Sequence, residues 1–281
     1  MTPTPPSRRI GLGHGWRWFT GAWGMLRRRP QVFLLMGLTM AIIDMLSSLP
    51  LIGLLAGLFM LIAGPALLAG ICMEAHGAAA GRTPNWQHLF TPLLDPARRR
   101  EAIKLCIPLV IGKLTAIFML AIVLLEKLAR SGANLADLNH HPDQLIALLK
   151  SDAMRPWLFV ALAIVLFAWT FTALAIPGVV LTSSRASTAM TESFRLVWHH
   201  LGAWIVAALA LFVCVGIVFW LLSLTHVILI VQLGTFTLLY ALLGPMLYLA
   251  WRDLGGLPTA NTTPAAPKPP APPPPSGFLE A

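Results

Sequence analysis

Charge is scarce in this chain. Asp, Glu, Lys and Arg make up 11% of its 281 residues, where a soluble domain carries about a quarter. That scarcity excludes an ordinary water-exposed globule. Cysteine is sparse too: Cys72, Cys106 and Cys214 all fall in or at the ends of apolar runs. With none in a candidate outer loop, no disulfide framework is expected, and no CxxC or Cys/His spacing offers a metal site. Also missing are a Ser/His/Asp set, paired carboxylates within the apolar runs, and the apolar core with small-residue cleavage site of a signal peptide. The "GLGHG" at 11–15 follows no strand, so the dinucleotide fingerprint lacks its context. The chain is therefore expected to be no enzyme and to hold no cofactor or metal.

What is present is apolar length. Hydrophobic residues reach 57% and mean hydropathy is +0.75. Six apolar stretches stand out, at 31–49, 51–73, 104–125, 157–181, 202–223 and 227–250. Each is near the ~20 residues a helix needs to cross a bilayer. "SSLPLIG" and "SLTHV" are too short to be anything but hairpin turns, and backbone satisfaction in lipid leaves helices as the only spans.

The basic residues say which way the chain lies. Arg8, Arg9, Arg17, Arg27, Arg28, Arg29, Arg82, Arg98, Arg99, Arg100, Lys104, Arg185, Arg195, Arg252 and Lys268 fall on one side of the six spans, and only Lys127, Arg130, Lys150 and Arg155 on the other. The positive-inside rule then puts both termini in the cytoplasm. The formal charge of +9 is explained by attraction to the anionic lipids of the inner leaflet, without nucleic acid. The fold class expected is all-α: a polytopic membrane bundle of six transmembrane helices in three hairpins, with interfacial amphipathic helices on the cytoplasmic side. Residues 1–14 and the Pro/Ala-rich tail 257–281 are expected to be disordered and cytoplasmic, flanking a membrane domain at 15–256.

"GWRWFTGAWGMLRRRPQVF", residues 15–33, opens that domain. At helical spacing Trp16, Phe19, Ala22, Trp23 and Leu26 share a face opposite Arg17 and Arg28, which predicts a helix over 15–29 lying in the interface. Pro30 is placed to bend the chain into the first span. Phe194, Trp198 and Leu201 repeat the spacing before span five, and Trp86 with Leu89 gives a shorter echo before span three. Trp16, Trp18, Phe19, Trp23, Trp86, Phe194 and Trp198 are the expected interfacial anchors. Each returning helix also carries a Gly/Pro pair, at Gly64-Pro65, Pro177-Gly178 and Gly244-Pro245, as three degenerate repeat units would.

Through Gly15, Trp16, Trp18, Trp23, Gly64 and Pro65, residues 11–256 resemble a family of bacterial six-span inner-membrane proteins with a Gly-Trp-x-Trp opening and a Gly-Pro second helix. The resemblance implies a plasma-membrane protein and brings no activity, cofactor or catalytic residue with it.

Asp44 and Lys113 are the only ionisable residues well inside the predicted spans. Charges at that depth are costly enough to prompt a functional hypothesis. At 1.5 Å per residue they lie roughly 20 Å and 13 Å from the cytoplasmic ends of their spans, so they are candidates to pair between the first and third helices. Gly53, Gly57 and Gly64 line one face of the second span, a surface for close helix packing or a homodimer. "DLNHHPD", with Asp137, His140, His141 and Asp143, groups metal-ligand types in the outer loop, but adjacent histidines converge poorly on one ion, and a solvated loop is the stronger reading. Two functions follow: a non-enzymatic envelope scaffold or interaction protein, with lipid and an unidentified membrane partner as its contacts, or a small permease working through Asp44 and Lys113.

Overall fold

The computed structural model describes residues 10–49, 52–131 and 151–256, and no strand occurs among them. α1 (Gly13–Arg28) and α2 (Pro30–Leu46) meet at Arg29 with a bend of 107°. Pro30 is the first residue of α2, where its missing N–H costs nothing and its fixed φ suits a helix start. α3 (Gly53–Ala79) follows, then a 3₁₀ turn at Trp86–Leu89, α4 (Thr91–Leu94), α5 (Pro96–Lys104) and α6 (Cys106–Ser131). After the undescribed stretch come α7 (Arg155–Thr172), α8 (Ala175–Thr182), α9 (Ala186–His199), α10 (Leu201–Ser223) and α11 (Ile228–Trp251).

Five stretches have the length and apolar character that crossing a membrane requires: Gly53–Ala79, Pro96–Arg130, Arg155–Thr182, Leu201–Ser223 and Ile228–Gly255. Counting the bent α1–α2 pair as one more gives up to six. α2 itself has 17 residues, at the short end of the spanning range. The first span was expected to run to 49, but the helix ends at Leu46, where the Ser47 hydroxyl donates to the Asp44 carbonyl. Leu49 precedes Pro50, which disfavours helical backbone there.

The second span runs six residues past its expected end at 73. The fourth is broken between Thr172 and Ala175. Pro177 accounts for the break, because its ring excludes the carbonyl four residues back, at Ala173. Ser193 of α9 serves the freed backbone: its Oγ accepts the Leu174 N–H at 3.0 Å and donates to the Thr170 carbonyl at 2.7 Å.

α11 sits at the centre, packed against α1, α2, α3 and α10. Phe33, Met36, Met40, Leu67, Ile71, Leu242 and Leu247 form the interior there. Glycines set the closest crossings. A methyl at Gly15 would collide with the Ala203 carbonyl of α10, one at Gly37 with the Thr237 carbonyl of α11, and one at Gly244 with Ile71 of α3. In a bundle of apolar helices, such small residues let the backbones approach. α6 and α7 pair with each other, Gly112 against Ala168, and present Ile111, Phe118, Ile122 and Phe159 outward. A contiguous outward face of this kind is one that water disfavours.

Candidate functional site

α1 departs from its expected role. Its inward stripe is Gly15, Trp18, Ala22 and Leu26, one step round from the ring-bearing face the spacing predicts. Trp18 is therefore no interfacial anchor. It is 1% exposed, its indole Nε1–H donates to Asp253 at 3.1 Å, and its ring lies 5.4 Å from that of Trp204. The cause is Gly15, whose missing side chain lets α1 lie directly on α10 and turns the Trp18 stripe inward. Trp16, Trp23, Trp86 and Trp198 keep exposed rings. Phe19 is half-buried beside Trp16. Phe194, also half-buried, stacks on Phe171 of α7 at 4.6 Å, so part of its surface serves helix packing.

Asp44, in the last turn of α2, and Lys113, at the start of the third turn of α6, line one cavity of about 180 Å³. Met40, Pro65, Trp169 and Tyr240 share its wall, so five helices contribute. The two charges do not pair as expected: no contact within 4.0 Å joins them, and neither forms an ion pair among the described residues. Tyr240 stands next to Asp44, near enough for its hydroxyl to interact with the carboxylate. Asp44 is half-buried, while Lys113 is exposed. Leu61 also lines it, and Pro65 has no N–H to give the Leu61 carbonyl.

The glycine face of α3 does not pack as the GxxxG spacing suggests. Gly53 lies against the Ser47 carbonyl in the preceding turn, Gly57 touches only the Ser47 Cβ, and a methyl at Gly64 would meet nothing within 4 Å. Gly64 instead borders the cavity. The loop cluster Asp137, His140, His141 and Asp143 and the tail 257–281 lie outside the described residues, as do 1–9.

A second polar centre was not anticipated. Glu74, one residue past the apolar run at 51–73, is fully buried in α3. Its Oε1 is 3.3 Å from Arg29 Nη1; its Oε2 is 2.9 Å from His88 Nδ1 and accepts the Asn85 N–H at 3.2 Å. The Arg29 guanidinium also donates to the Arg82 carbonyl. The carboxylate thus ties the α1–α2 bend to the segment after α3, where the backbone of His88 and Leu89 crosses so close to Gly70 that a methyl there would collide. The small-residue run around Glu74, "AGICMEAHGAAAG", was the available signal, since a helix that continues through it must bury its acid.

Among the described residues no group of three or more His, Cys, Asp or Glu is placed to hold a metal ion. Together these features define an all-α protein with helices long and apolar enough to span a membrane, and with a cavity between five helices whose lining carries one residue of each charge. No family model, curated protein or solved structure matches the chain.

Proposed function

We propose that the chain is a six-span bacterial inner-membrane protein, both termini cytoplasmic, that passes or carries a small polar species through the Asp44–Lys113 cavity. The skew of basic residues supports the orientation, and the ring-bearing segments before spans one, three and five support the three-hairpin arrangement. One observation carries the function: Asp44 and Lys113, of opposite charge and from different helices, line one cavity, and no contact within 4.0 Å joins them. A purely structural pair would close on itself, and the long stem of Lys113 gives it the reach. That favours the permease reading over the envelope scaffold expected from the sequence.

The test is thiol accessibility. With Cys72, Cys106 and Cys214 replaced, single cysteines at 44 and 113 are exposed in intact cells to a membrane-impermeant reagent. Labelling at both is expected. Protection of both in a folded protein refutes the permease and returns the scaffold.

A further inference from the structure

We infer that the species held in this cavity is a small zwitterion, an ammonium and an anionic group a few bonds apart, bridging Asp44 and Lys113. The inference rests on the reading that the cavity is a working site, and it adds the ligand's chemistry.

Charge gives the first argument. Opposite unit charges that share a cavity wall attract each other, yet here the pair stays open. A lone cation satisfies Asp44 and adds to the charge of Lys113; a lone anion does the reverse. Only a ligand with both signs meets both residues at once.

Size gives the second. A water occupies about 30 Å³ of liquid, so about 180 Å³ is room for a handful of waters or one solute of that bulk. The wall gives the third. Trp169 and Tyr240 offer ring faces suited to an ammonium, while Met40, Met60 and Leu68 suit a short hydrocarbon link. Because Lys113 is exposed, the zwitterion has two sources to separate: a soluble solute, or the headgroup of a zwitterionic lipid entering sideways.

The experiment uses the full chain in phosphatidylglycerol nanodiscs and reads the thermal unfolding midpoint. Alanine and γ-aminobutyrate are titrated against ethylamine and propionate, which carry one charge each; phosphatidylethanolamine is added in a separate arm. A saturable rise with a zwitterion, at least tenfold weaker with either one-charge analogue and lost in both D44N and K113Q, is the expected result. The arm that responds names the source. The reversed pair D44K/K113D, which a bridging ligand fits in the opposite sense, should regain the response. A rise with ethylamine or propionate alone, or with neither class while cysteines at 44 and 113 still label from water, overturns the zwitterion and leaves the permease. Loss of labelling at both positions removes both. The analogue series on the unmodified chain decides the matter even if a variant fails to fold.

Discussion

Replacing Glu74 with Gln leaves the number of heavy atoms unchanged, yet it should be among the most damaging single changes in the chain. The carboxylate receives donors at both oxygens, Arg29 at Oε1 and His88 with the Asn85 N–H at Oε2. An amide has one acceptor end, so either orientation sets its NH₂ against a donor. It also leaves the Arg29 guanidinium, only 19% exposed, without its counter-charge. Breaking a buried ion pair from one side costs about 3–5 kcal/mol, and charge-assisted hydrogen bonds at about 1.5–3 kcal/mol each give the same scale. We discount to about 3 kcal/mol because Arg29 and His88 keep some contact with solvent. At roughly 2–4 °C per kcal/mol for a domain of this size, the unfolding midpoint in detergent should fall by roughly 6 °C or more. Glu126→Gln, which breaks an exposed helical pair with Arg130, should fall within experimental scatter. Adding Arg29→Gln to Glu74→Gln should cost clearly less than the two changes separately, because the stranded charge is gone. A Glu74→Gln protein melting within about 2 °C of the parent, with additive changes in the cycle, refutes the reasoning.

Two further outcomes follow from the packing and the histidines. Gly37→Ala drives a methyl into the Thr237 carbonyl and should destabilise by about 1–3 kcal/mol, whereas Gly64→Ala enters open space and should gain up to about 1 kcal/mol of helix propensity; equal midpoints for the two would show that the α2–α11 crossing does not set the fold. His200, at the joint of α9 and α10, is held below its usual value near 6.5, first by burial and then by His199 and His14. The unfolded chain therefore binds that proton more readily, so stability is whole above about pH 6.5 and declines as pH falls toward the folded value; melting curves between pH 8 and 5.5 should show a shallower acid decline in His200→Asn, and identical slopes would sink the assignment.

The long apolar runs were legible because period and length alone mark a helix that lipid can host: spans five and six begin and end within a residue or so of where the runs do. Bends and faces were less so. Trp18 reads as one more interfacial ring until Gly15 brings α1 against α10, and a contact that close depends on residues nearly 190 positions apart. The role of Glu74 was hidden for a related reason. Its partners come from the α1–α2 bend and from a turn beyond the helix end, neither of which a periodic pattern encodes. Gly64 fails in the other direction, since spacing marks a smooth face without saying whether a neighbour lies on it.

The contrast between Glu74 and Asp44 bears most on function. Both are carboxylates in apolar helices, and the chain meets one of them with a guanidinium, an imidazole and a backbone N–H. For the other it supplies Tyr240 at its side and a lysine that shares the cavity without touching. A fold able to surround Glu74 so fully has the means to close Asp44 onto Lys113, and Lys113 has the long stem to do it. Local consistency tends to lapse where a site must stay available to something else. The open pair, set beside the Pro65 interruption and two aromatic rings, is where this chain departs from satisfying its own charges, and the occupant that restores the balance carries both signs.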